Sequence, residues 1–120
     1  MITRLIRFIG GLCLSVALCV THVQSQTGVR YEALTVGATA VGLAAATISP
    51  AGSEPNTRCR GRLETAQIRQ RWDGTNPTAT EGELVEIGDV IDLTGISTLS
   101  LVRWIRTGST SGVLRLHCWR

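Results

Sequence analysis

The chain of 120 residues contains no lysine: all twelve basic residues are arginine. A basic set made only of arginine suits planar, two-pronged contacts and stacking. It follows equally from a GC-rich genome, the reading preferred here. Beyond residue 25 there is one histidine, His117, close to the C-terminus. With no Gly-x-Ser-x-Gly elbow beside it, a nucleophilic triad has no support, and His117 reads as a half-exposed strand residue. There is no phosphate-binding glycine loop and no zinc spacing. No internal repeat or low-complexity tail is present either. No apolar run reaches the length of a membrane-spanning helix. Net charge is also scarce. Arg4 and Arg7 leave with residues 1–25 and no acid does, which takes the formal charge from +3 to +1. The basic isoelectric point is therefore no argument for nucleic-acid binding.

What is present begins with an export signal over residues 1–25. Arg4 and Arg7 form a positive start, and Phe8 to Val20 is a 13-residue apolar run. That length suits the helical core of a signal peptide. Cleavage is placed after Ser25. An uncleaved anchor, a lipid anchor at Cys19 and a mis-assigned start codon are the alternatives. Cys13 and Cys19 lie in this segment, leaving Cys59 and Cys118, an even pair for an oxidising compartment. Both fall on the apolar phase of their strands, and a bridge between them is expected. It would close about 60 residues and restrict the unfolded chain by roughly 4 kcal/mol. Two buried free thiols are the alternative.

Residues 26–120 read as a single domain, and apolar residues at 43% of the chain are enough for a core. The Ala-, Gly- and Thr-rich run from Tyr31 to Ile48 predicts two short strands with a bend, since Gly37 and Gly42 argue against a helix. Arg58, Arg60 and Arg62 alternate with Cys59, Gly61 and Leu63, which puts three guanidinium groups on one face of a strand. Glu64-Thr65-Ala66 turns the chain. Ile68, Gln70 and Trp72 then alternate with Arg69 and Arg71. Asp73-Gly74 and Asn76-Pro77 mark a long turn, and Gly88-Asp89 another. Leu99 to Arg106 reads as a strand, Thr107 to Gly112 as a hairpin loop, and Val113 to Trp119 as the final strand. Roughly six to eight short strands indicate an all-β fold, a small β-sandwich or jelly-roll-like barrel. The expected core is Leu63, Ile68, Leu84, Ile87, Leu93, Leu101, Ile105, Leu114 and Leu116.

No catalytic, cofactor or metal site is expected, and an enzyme is not. Glu81, Glu83, Glu86, Asp89 and Asp92 follow the pattern of a solvated face. Asp73, Asn76 and Glu81 match no calcium-loop spacing, and the turn alone explains them. The arginines are the interaction candidates: Arg58, Arg60 and Arg62, with Arg69 and Arg71 nearby. If the last strand lies beside the first, Arg115 and His117 join them with Trp119 at the edge. Such a face suits a single strand of nucleic acid or an acidic glycan. Because total charge nearly cancels, pairing with Glu64, Glu83 or Glu86, or with acids of a neighbouring subunit, is favoured over nucleic acid.

From Arg60 to Asp89 the string R-x-R-L-E-T-A-Q-I-R-x-R-W-D-G-T-x-P-T-A-T-x-G-E-L-V-E-I-G-D carries a further signal. So does the later L-x-x-V-R-W-I-R-T-G-S-T-S-G-V-L-R-L, from Leu99 to Leu116. Together they resemble a group of small β-rich proteins encoded among the structural genes of tailed bacteriophages and prophages. The resemblance covers about Thr57 to Leu116, half of the chain. It implies a virion-associated β domain, such as a head-decoration, neck or tail accessory protein, that works with other virion subunits. Separately, the small apolar residues of Leu34 to Ile48 suit the close approach of another backbone, so a homo-oligomer or a subunit lattice is expected. The signal-like N-terminus and the cysteine pair depart from that group. They point instead to an exported β-sandwich module, periplasmic or extracellular, whose arginine face binds an anionic polymer or surface glycan.

Overall fold

Alternation of polar and apolar residues decides most of the strands in the computed structural model, which describes residues 29–120. The expected signal segment, residues 1–25, lies outside the described residues, and so does any helix it forms. Seven strands occur among the described residues: β1 Arg30–Val36, β2 Arg58–Glu64, β3 Ile68–Arg71, β4 Glu83–Val85, β5 Val90–Thr94, β6 Arg103–Arg106 and β7 Gly112–Trp119. Two short helices, α1 Ala45–Ile48 and α2 Ile96–Leu101, accompany them. Four strands form one antiparallel sheet in the order β1-β7-β2-β5, and three form a second in the order β4-β3-β6. The described residues are mostly β, in a sandwich-like arrangement of two sheets.

The connections explain how a short chain makes two layers. Only β3 and β4 are both consecutive and paired, so theirs is the one hairpin among the described strands. The turns β2–β3, β4–β5 and β6–β7 each carry the chain from one sheet to the other. The loop Thr107 to Gly112, expected as a hairpin, is therefore a crossing between layers. At the β2–β3 corner Thr65 takes a left-handed φ of 73°. Its hydroxyl donates to the Ser111 carbonyl at 2.9 Å, which ties this corner to the β6–β7 crossing. Gly88, with φ 90°, turns the β4–β5 corner and donates its N–H to the Leu63 carbonyl at 2.8 Å. Positive φ at that point suits glycine.

One core lies between the sheets. Leu63, Ile68, Leu93, Leu114 and Leu116 are fully buried within it, as expected. Trp104, Leu99, Val102 and Val36 join them. Each such side chain contributes about 1.5–3 kcal/mol by leaving water. Four expected core residues are not there. Leu84, Ile87 and Leu101 are 41%, 60% and 43% exposed, and Ile105 is half-buried. In β4 the inward phase belongs to Val85, and in β6 to Trp104, with Val102 buried just before it. Leu101 ends α2 rather than sitting inside a strand. The strand expected from Leu99 to Arg106 is thus a helical turn followed by β6.

The run from Tyr31 to Ile48 also differs from expectation. β1 ends at Val36, Val41 forms an isolated bridge to Trp104, and Ala45–Ile48 is helical. The alanines after Gly42 satisfy helix propensity once their ends are held. Asn56, itself buried, holds that end. Its side-chain amide donates to the Thr47 carbonyl at 2.7 Å, and its backbone N–H donates to Ile48 at 2.8 Å.

Candidate functional site

The outer face of the four-stranded sheet collects the outward residues of β2, β7, β1 and β5. β7 lies beside β2, with Arg60 opposite His117, Arg62 opposite Arg115 and Arg58 opposite Trp119. On the far side of β2, Arg60 faces Asp92, and Arg62 faces Val90. On the far side of β7, His117 faces Tyr31, their rings 5.2 Å apart and tilted by 52°. Paired residues of an antiparallel ladder share a side, so all of these stand on one surface. Gly61 is half-buried between two of the arginines. A Cβ there would run into the Arg115 carbonyl oxygen and crowd the Leu116 side chain, so the close approach of β7 requires glycine.

The guanidinium groups are not equivalent. Arg115 donates to the Glu64 carboxylate at 2.6 Å and to the Tyr31 hydroxyl at 2.7 Å. Those two bonds, the one to Glu64 foremost, raise its pKa above the ordinary arginine value. Arg60 lies 3.6 Å from Asp92, with both side chains 63% exposed, a pair worth about 0–1 kcal/mol. Arg58 and Arg62 are exposed and form no ion pair among the described residues. Arg62, directly across from Arg115, adds like charge rather than cancelling it. Around these groups lies an open depression of about 390 Å³, walled by Arg60, Arg62, Val90, Arg115, His117 and Trp119.

Arg69 and Arg71 are not part of this surface. They belong to β3 in the other sheet, and both are engaged there. Arg69 donates to the carbonyls of Ala79 at 3.0 Å and Gly82 at 2.8 Å, pinning the β3–β4 loop. Arg71 grips the Asp73 carboxylate through two bonds of 3.2 and 2.6 Å. Their alternation resembles that of β2, but their partners are local.

Cys59 and Cys118 form a disulfide directly behind the arginine face. They lie opposite each other on β2 and β7, pointing into the core. Val90 and Tyr31 were not anticipated as parts of this surface. Tyr31 sits on the outward phase of β1, but only the β1–β7 pairing brings it to Arg115. Among the described residues no group of three or more His, Cys, Asp or Glu side chains is placed to hold a metal ion. No helix among them is long and apolar enough to cross a membrane. The chain matches no family model, no curated protein and no solved structure.

Proposed function

We propose that the domain is a non-catalytic, exported binding module whose outer arginine face holds an anionic glycan. The observation that carries this reading is the pair Arg58 and Arg62, which stand on one strand with no carboxylate partner among the described residues. Trp119 and His117 flank them, and Arg115 is held in place by Glu64 and Tyr31. Guanidinium forks suit sulfate and carboxylate groups, and an aromatic ring suits the face of a sugar. Single exposed contacts are weak, so a polymer that meets several arginines at once fits better than a small ligand. The disulfide supports an oxidising compartment. Retention on a heparin column tests the proposal. The wild-type protein should elute at raised salt, and an Arg58→Ser/Arg62→Ser variant at clearly lower salt. Flow-through of the wild type, co-elution of the two proteins, or binding confined to single-stranded DNA would overturn it.

A second reading is a virion-associated structural subunit that works by assembly. It is supported by the phage-like motifs and by exposed apolar side chains at Trp72, Leu84, Ile87 and Val90. Finding the protein in purified virions, encoded beside capsid, portal and tail genes, is its test.

A further inference from the structure

A second groove opens where the edge strand β5 meets β3 and β4 of the other sheet. Its volume is about 330 Å³, and Gln70, Trp72, Glu83, Leu84, Val90 and Asp92 are among the residues that line it. Three of these are exposed apolar residues: Trp72 at 43%, Leu84 at 41% and Val90 at 43%. The charged residues in its walls are Glu83, Asp89 and Asp92, all acidic. Glu83 accepts a bond from the Gln70 amide at 3.2 Å, and Asp89 accepts the Glu86 N–H at 2.9 Å. An ionised carboxylate keeps further lone pairs after one such bond.

We infer that this groove receives the arginine face of a second copy of the chain, and that two copies dock reciprocally. Charge complementarity is the first argument. The outer depression carries Arg62, which has no ion-pair partner among the described residues, beside Arg60 and Arg115. The charged residues of the β5 groove are all acidic. Glu83 and Asp89 stand outside any ion pair among the described residues, and Asp92 lies 3.6 Å from Arg60 of its own chain. Adjacency is the second. Val90 borders both depressions, so the basic and acidic surfaces adjoin along β5. A twofold axis beside Val90 lays each basic surface over the partner's acidic one, and every contact occurs twice. An interface of that kind closes at two copies and does not propagate into a fibre. Chemistry of the contact is the third argument. Trp72 offers an exposed aromatic face for a guanidinium, and Val90 and Leu84 supply the apolar area that holds the contact while the charges orient it. β5 is an outer strand of its sheet, so a neighbour can approach it. The inference rests on the assembly reading and gives it a surface. It does not need the glycan, which would compete with the partner copy for Arg62 and its neighbours.

The test uses charge reversal on the protein as the producing cell processes it, with no polymer present. Sedimentation equilibrium at low salt should show a concentration-dependent dimer for the wild type. Glu83→Arg and Arg62→Glu should each weaken it by at least about tenfold, since like charges then meet at both contacts. An equimolar mixture of the two variants should recover the dimer, because each then supplies what the other lacks. Leu84→Arg, at an exposed side chain, is the companion that leaves the Gln70 bond intact and should also dissociate the dimer. Circular dichroism confirms that each variant is folded. A wild type that stays monomeric, a Glu83→Arg protein that dimerises like it, or a mixture that stays monomeric overturns the inference. Detection in virions is read separately, so the assembly reading can survive the loss of this interface.

Discussion

Cys59 and Cys118 face each other across the β2–β7 ladder with their Cα atoms 4.0 Å apart, and the bond between them spans 59 positions of sequence. The two strands are already paired along their length, so the bridge adds little to the native geometry. Its effect falls on the unfolded chain, which it keeps from expanding. Reduction, or Cys59→Ser with Cys118→Ser, should therefore lower unfolding free energy by about 2–4 kcal/mol and leave the strand content unchanged. Urea unfolding with and without reductant measures it. Equal midpoints in the two conditions would show that the bridge does not contribute.

Trp104 sets the position of the second sheet. It is fully buried, and its indole N–H donates to the Gln70 side-chain oxygen at 3.1 Å. The Gln70 amide in turn donates to Glu83 at 3.2 Å. The chain of bonds runs from the core to the rim of the β5 groove. Trp104→Ala should cost about 3–5 kcal/mol through the cavity it leaves. Gln70→Ala should cost about 1–3 kcal/mol, because it strands a buried donor. Thermal unfolding of both variants checks the order. A Gln70 variant as stable as wild type would mean that the indole N–H finds another partner.

The strands that alternate cleanly were legible in the sequence, and the sheets to which they belong were not. Arg58 to Leu63 has one polar and one apolar phase, so its face and the inward Cys59 could be read directly. In Leu99 to Arg106 both phases are apolar, and the alternation could not choose Trp104 over Ile105. Glu64-Thr65-Ala66 reads as a reversal from its residues. That it crosses between sheets depends on the Thr65 bond to Ser111, which is 46 positions away. Arg69 and Arg71 show the same limit. Their spacing matches that of Arg60 and Arg62, but what a guanidinium meets is set by tertiary neighbours, here the carbonyls of Ala79 and Gly82 and the Asp73 carboxylate.

The Arg71–Asp73 pair makes the β3–β4 loop sensitive to acid. The Arg71 guanidinium and the Thr75 N–H, which lies 3.1 Å from the carboxylate, hold the Asp73 pKa at about 2, below its ordinary 3.8. A depressed carboxyl favours the folded loop above its ordinary pKa, and that contribution fades as pH falls from 3.8 through about 2. Amide exchange across residues 73–82 should quicken over that window and not above it. Arg71→Ala should move the Asp73 titration, followed by carbon NMR, up toward the ordinary value. A wild-type Asp73 that already titrates there would remove the argument.

Arg62 and Arg115 sit opposite each other and should fail in different ways when replaced. Arg62 has no ion-pair partner among the described residues, so Arg62→Ser should leave the fold as it is. Its loss should appear in contacts made by the arginine face and not in stability, and for heparin it should be read as a slope of log affinity against log salt that is shallower by about one unit. That expectation assumes a contact to one anionic group of a linear polyanion, and heparin fragments of fixed length supply one. Arg115 is bonded to Glu64 and Tyr31, so it anchors β1 as well as adding charge. Arg115→Ser should reduce the salt slope and also loosen the edge strand, read as faster amide exchange at Tyr31 and Ala33. Arg115→Lys should keep the charge but lose the two-partner geometry, restoring the slope more than the protection. If Arg62→Ser binds heparin with the wild-type slope, the unpaired arginine is not a contact, and the glycan reading loses the observation on which it stands.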